Sequence, residues 1–198
     1  MMVNSKELFL DKNLKKGGFY ELSIQVCPSV DNFPIELYTN YIWSLKNVDG
    51  PFDNEFNKVK IDIENFEHNG ILHLENKTIP FKTYNIRETE PIESGFNWFD
   101  ICFYTSAIEK VFGEEYTTWT EIQNPPKVLK EFLDVTMKNL FKIYPFQLAM
   151  IDFEISGQYY LNDLKGEFEN FTYSKFYIGK EFENMIAENN RPNIITIN

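Results

Sequence analysis

Histidine and cysteine are scarce: the chain has two of each, His68 and His73, Cys27 and Cys102. With so little imidazole and thiol, the common hydrolytic and zinc chemistries have few residues to draw on. Both cysteines lie in apolar, strand-like runs, which is not the disulfide framework of a small secreted protein. Also missing are the G-x-x-x-x-G-K-[ST] and G-x-G-x-x-G phosphate loops, the G-x-S-x-G elbow, H-E-x-x-H and any Cys-x-x-Cys. No stretch approaches the roughly 20 apolar residues of a membrane span, and residues 1–16 carry no apolar signal core. Basic residues are outnumbered, 19 Lys and Arg against 30 Asp and Glu, for a net charge of −11. That excess repels phosphate backbones and anionic membranes, so neither nucleic acid nor membrane is an expected partner. The expected setting is cytoplasmic, and the expected partner is a basic protein.

What is abundant is the aromatic ring. The 19 Phe, 11 Tyr and 3 Trp are enough to fill a core and leave rings for a surface. A chain of 198 residues buries roughly 70% of its unfolded surface, so it needs no metal or disulfide to hold together. One domain over 19–198 is expected, preceded by an arm over 1–18 that ends in Lys15-Lys16-Gly17-Gly18.

Periodicity supplies the elements. Tyr20, Leu22, Ile24 and Val26 alternate with Glu21, Ser23 and Gln25, the pattern of a half-buried strand. Asp31 and Asn32 precede Pro34, and Leu37, Tyr38, Tyr41, Ile42 and Leu45 follow at helical spacing, predicting a helix over 33–46 closed by Asp49-Gly50-Pro51. Val59, Ile61 and Ile63 predict a strand over 58–63, and residues 71–74 and 79–86 a hairpin around Glu75-Asn76-Lys77. Residues 98–104 read as a buried strand, 106–112 as a short helix ending at Gly113. Asn124-Pro125-Pro126 opens the clearest helix, which ends near Pro145. A strand over 146–155 follows; residues 158–198 give only weak strands near 158–162 and 168–178 and a short helix at 180–188. The expected class is α+β: a mainly antiparallel sheet, two principal helices packed on one face, and the other face partly open.

Three constellations bear on function. Loops at 49–67, 87–93 and 109–121 mix acids with rings, and Asp53, Glu55, Phe56, Glu88, Glu90, Glu93, Glu114, Glu115, Tyr116 and Trp119 are the candidate partner-binding residues. Buried rings anchor an interface while charges steer the encounter; solvated loops with rings folded inward are the plain alternative. Acids inside strands form the second set. Asp152 and Glu154 share a face by alternation, as do Asp100 with Trp98 and Glu21 with Ser23. If the strands are neighbours, Glu21, Trp98, Asp100, Asp152 and Glu154 line a pocket whose crowded carboxylates can work as acid and base. The third set, His68, His73 and Glu75 as metal ligands or Cys102 as a nucleophile, reads better as turn and core residues, so no metal or cofactor is expected.

Five blocks carry a resemblance: Gly18-Phe-Tyr-Glu-Leu-Ser-Ile24, Ile42-Trp-Ser-Leu45, Gly50-Pro-Phe52, Trp98-Phe-Asp-Ile-Cys-Phe103 and Pro145-Phe-Gln-Leu-Ala-Met-Ile-Asp-Phe-Glu-Ile-Ser-Gly157. Together they resemble a loosely defined set of uncharacterised bacterial cytosolic proteins of the immunity type found in polymorphic toxin systems. None of the blocks is a catalytic signature. The resemblance implies a small, acidic, non-enzymatic binding protein; the net charge of −11, the three acidic and aromatic loops and the lack of a catalytic motif make the expected target a basic, nuclease-like toxin. The rival expectation is an enzyme or small-ligand binder that uses the carboxylate pocket. Oligomeric state is not legible in the sequence.

Overall fold

The strand β1, Phe19–Pro28, lies inside an eight-stranded sheet, between two strands that come much later in the chain. The computed structural model describes residues 4–89, 95–116, 124–166 and 175–198. The remaining strands are β2 Val48–Phe52, β3 Glu67–Leu74, β4 Lys77–Arg87, β5 Phe96–Tyr104, β6 Leu148–Phe153, β7 Phe176–Gly179 and β8 Ile194–Ile197. Their spatial order is β2-β3-β4-β5-β1-β6-β7-β8, antiparallel throughout except for the parallel pair β7–β8. Among the described residues four α-helices accompany the sheet: α1 Ser5–Leu10, α2 Phe33–Ser44, α3 Thr105–Phe112 and α4 Lys127–Ile143. None of the described helices is long and apolar enough to cross a membrane.

The alternation of β1 dictates the main core. Tyr20, Leu22 and Ile24 project to one face, where the cross-strand register aligns them with Phe103, Ile101 and Phe99 of β5 and with Phe153, Ile151 and Ala149 of β6. The apolar stripes of α2 (Ile35, Tyr38, Ile42) and α4 (Leu129, Leu133, Met137, Leu140) are buried in that same cluster. Tyr38 donates its hydroxyl proton to the Tyr144 carbonyl at 2.6 Å, which ties α2 to the end of α4. Trp43 of α2 lies over β3, and only glycine fits beneath it. A Cβ on Gly70 would come within 2.5 Å of the Trp43 ring and 2.7 Å of the Asp49 carbonyl oxygen.

The opposite face is less open than alternation suggests. Glu21, Ser23 and Gln25 are all at or below 2% exposed, so β1 is buried on both sides. Two covers do this. Over β5, β6 and β7, the segment after β6 lays Ile155, Leu161 and Leu164 on Trp98, Leu148, Met150, Phe176 and Ile178. It satisfies buried polar groups as it passes, and the Leu161 amide donates to Gln25 Oε1 at 2.8 Å. Over β3, α1 places fully buried Phe9 against Phe52 and Ile71. The residues expected to form an arm therefore include an α-helix and two buried side chains, Phe9 and Leu14. The helix was missed because six residues are too few to establish a period.

Three more departures have physical reasons. The alternation of Val59, Ile61 and Ile63 does not make a strand: apart from one bridge, Phe52 to Lys58, residues 58–63 are loop, with Val59 and Ile61 exposed. Asp49-Gly50-Pro51, expected to be a stop, belongs to β2. Residues 158–162 are turn rather than strand, and 180–185 wind as a 3-10 helix. The strand expected over 168–178 is described only at β7, since 167–174 lie outside the described residues.

Replacing Phe9 with alanine should cost about 3 kcal/mol, the range for emptying an aromatic site in a core. Urea unfolding of Phe9→Ala measures it; a change below about 0.5 kcal/mol, the scale of an ordinary surface substitution, would show that α1 is not part of the cooperative fold.

Candidate functional site

Register brings three of the strand acids together. Glu21 lies opposite Cys102 of β5 on one side and Asp152 of β6 on the other, and Asp100 lies opposite Ser23. Glu21, Asp100 and Asp152 thus sit on adjacent strands and share the face away from α2 and α4. They are also buried, at 2%, 1% and 3% exposure. Ser156 closes over them: its amide donates to Glu21 Oε1 at 2.8 Å and its hydroxyl to Asp100 Oδ2 at 3.1 Å. The Cys102 thiol donates to Glu21 Oε2 at 3.2 Å. Among the described residues no Lys or Arg forms an ion pair with Glu21 or Asp100.

Burial sets the proton affinities here. Loss of water pushes Asp100 up to about 7, the nearby Glu21 charge adds to the rise, and hydrogen bonds from its neighbours oppose it. The Ser23 hydroxyl favours the charged form of Asp100, and among the described residues neither that hydroxyl nor Asp100 Oδ1 has a well-formed hydrogen bond. Glu21 is raised by the same desolvation, offset in part by the Ser156 amide and the Cys102 thiol. Desolvation, then the two carboxylates, drive the Cys102 thiol well above its usual range. A thiol so held stays protonated and is a poor nucleophile.

The other expected pocket residues go elsewhere. Trp98 is 3% exposed; its indole N–H donates to Glu88 Oε1 at 2.9 Å and its ring meets Tyr160 edge-on at 5.3 Å, so it offers no free stacking platform. Glu154 does not share the face of Asp152, because β6 ends at Phe153 and Glu154 takes a positive φ of 51°. Its carboxylate accepts from the Phe19 amide instead.

The acidic loops divide in a similar way. Asp53 organises its own turn: it accepts from the Asn57 amide at 2.8 Å, the Asn57 side chain at 3.0 Å and the Glu55 amide at 2.9 Å. Those bonds, the Asn57 amide first, hold its carboxyl below the usual range. Phe56 turns inward, stacked on Phe52 at 4.1 Å and tilted against Phe9 at 5.2 Å. Glu88 is a structural bridge that accepts from the Phe96 amide, the Trp98 indole and the Tyr160 hydroxyl. Glu55, Glu114 and Glu115 are exposed, and Tyr116 packs in part against the main core. Glu90, Glu93 and Trp119 lie outside the described residues.

Reading the chain linearly missed a surface. Phe66, 58% exposed, lies against Tyr84 with ring centroids 5.0 Å apart, and Phe19 joins Tyr84 at 6.1 Å and Tyr104 at 4.6 Å. These rings come from four places in the chain, and only the strand register brings them together. Glu67 lies opposite Tyr84 in the β3–β4 register, and Val59, Ile61 and Glu64, all exposed, precede Phe66 in the chain. Lys82 reaches Glu67 at 2.8 Å and lies 5.7 and 5.5 Å from the Tyr84 and Tyr104 rings. His73 is engaged with Asp49 and Thr78 at 3.2 Å each. His68 is buried and accepts from the Asp62 amide at 3.3 Å. Among the described residues no group of three or more His, Cys, Asp or Glu is placed to hold a metal ion.

A raised carboxyl has a sign in stability. The folded state holds the Asp100 proton more tightly than the unfolded chain, so its contribution is full below about pH 4 and is lost as pH rises through about 7. Asp100→Asn keeps the acceptor and removes the titration. Denaturation midpoints between pH 4 and 8 should fall less steeply with pH in that variant than in the parent. Parallel pH profiles would show that Asp100 does not titrate in this range.

Comparison with protein-family models, with curated proteins and with solved structures gave no match.

Proposed function

We propose that this chain is a non-enzymatic, acidic protein-binding module, an immunity protein that neutralises a basic, nuclease-like toxin. The observation that carries the reading is the border formed by residues 55–67. There exposed Val59, Ile61 and Phe66 lie among the acids Glu55, Asp62, Glu64 and Glu67 and the bases Lys58 and Lys60, with Phe66 beside the Tyr84 ring, in a chain of net charge −11. Exposed rings and aliphatics supply area to bury against a partner, and the charges accelerate encounter with a cationic surface. In this reading carboxylates stand where nucleic-acid phosphates would bind the toxin, so inhibition is competition for one basic cleft.

The convergence of Glu21, Asp100 and Asp152 favours a second reading, a small-ligand or catalytic site exposed when the Ser156 segment lifts. Their exposure of 1–3% weighs for the first reading, since a substrate would have to displace the packed residues Ile155 and Leu161 to reach them.

The test is affinity for the toxin domain encoded beside this chain's gene, measured over a salt series. Tight binding at low salt should weaken as salt rises. Glu64→Lys and Phe66→Ala should each weaken it about tenfold, Glu64→Lys mainly through association rate, while Glu21→Gln and Asp100→Asn leave it unchanged. No binding at low salt overturns the proposal, and loss of binding in the Glu21 and Asp100 variants moves the site to the buried cluster.

A further inference from the structure

The two edges of the sheet are finished differently. At the β2 edge the chain doubles back and covers its own backbone: the Val59 amide donates to the Pro51 carbonyl, the Asp53 amide to the Asn57 carbonyl, and Lys58 bridges to Phe52. Pro51 and a register shift between Asp49 and Phe52 further disrupt that edge. These are the usual devices that stop a strand edge from pairing with another chain. The β8 edge has none of them. Ile194-Ile195-Thr196-Ile197 has no charge, proline or bulge, pairs with β7 on one side, and among the described residues has no strand on the other.

Beside that edge runs a cleft of about 360 Å³ between α4 and β8, lined by Lys138, Lys142, Tyr177, Ile195, Thr196 and Ile197. Ile195 is 40% exposed there. The charges of α4 change along its length. In its first half Lys127 pairs with Glu131 at 3.7 Å and Lys130 with Asp134 at 2.6 Å, each one helical turn on. In its second half Lys138 and Lys142 are one turn apart with no acid within 4.0 Å among the described residues. Asp134, the nearest acid along that row, is engaged by Lys130 and by the Tyr177 hydroxyl at 3.3 Å. Like charges at this spacing disfavour a helix, and in a chain of net charge −11 an unopposed basic pair is out of keeping with its surroundings.

We infer that the α4–β8 edge is a docking site for an extended acidic peptide segment, which adds to β8 as a ninth strand and sets its carboxylates against Lys138 and Lys142. Strand addition draws affinity from the main-chain ladder and specificity from alternate side chains. The spacing agrees: alternate residues on a strand are about 6.6 Å apart, and four residues of helix rise about 6 Å. An occupant with acids at every second position therefore meets both lysines from the face that also carries Ile195, and its intervening residues project to the opposite face, where Ile194 packs on the second cluster. The inference does not rest on the acidic border at the other end of the sheet, and the two sites can be occupied together.

The probe is a synthetic eight-residue peptide alternating Glu and Val, with three controls: a Lys-for-Glu version, a version N-methylated at alternate backbone amides, and the chain variant Lys138→Glu/Lys142→Glu. Binding is followed by amide chemical shifts, with light scattering to monitor self-association. The expected result is saturable perturbation of residues 194–198 and 138–142. The double variant should weaken it about tenfold, and the Lys peptide and the methylated peptide should abolish it. Toxin binding should be unchanged in the double variant, which separates this inference from the functional proposal. The inference is overturned by absence of binding at millimolar peptide, by equal binding of the methylated peptide, or by indifference to the charge reversals. It is also overturned by light scattering that shows a second copy of this chain occupying the edge.

Discussion

Everything in this structure depends on closing the polar side of β1. A strand buried on both faces would ordinarily be apolar on both, yet β1 presents Glu21, Ser23 and Gln25 to its second side. Buried acceptors need donors, and the segment after β6 supplies them to Glu21 and Gln25 from its own backbone, through the Ser156 and Leu161 amides. The same segment brings the apolar residues that make the second cluster. Polar satisfaction and apolar packing are thus tied to one stretch of chain, and neither holds without the other.

The acidity of the chain resolves into separate roles. Some acids are internal framework: Glu88 joins β5 to Tyr160, and Asp53 shapes the turn after β2. Glu21 and Asp100 are inside with proton affinities raised by burial. Asp152 is buried beside them, while acids such as Glu55, Glu64 and Glu114 are exposed to water, where they set the long-range field. Counting charges along the chain gives them equal weight, but only the last group can act on a partner at a distance.

Much of the fold was legible because its signals are local. The stripe from Leu129 to Leu140, the alternation from Tyr20 to Val26 and the turn at Glu75-Asn76 each specify an element within about a dozen residues, and those elements are present. The convergence of Glu21, Asp100 and Asp152 was legible only conditionally, since it needed β1 placed between β5 and β6. What the chain did not disclose is non-local. Nothing in Phe56 marks it as turned inward onto Phe9, and nothing in Phe19, Phe66, Tyr84 and Tyr104 marks them as neighbours. The alternation of Val59, Ile61 and Ile63 misled because period alone does not provide a partner strand.

The place of β1 in the sheet has a consequence for how the chain is made. Its ladder partners are far downstream: Phe19 pairs with Tyr104, and Tyr20 with Phe153. Such pairing is slow to form, because a long loop must close before any contact rewards it. On a ribosome, β1 leaves the exit tunnel well before either partner exists. During that wait Phe-Tyr-Glu-Leu-Ser-Ile-Gln-Val would be an aggregation-prone ribbon if its alternate positions were also apolar. With Glu21, Ser23 and Gln25 at those positions, the waiting stretch carries one charge and two polar side chains, the groups that the Ser156 segment later closes over.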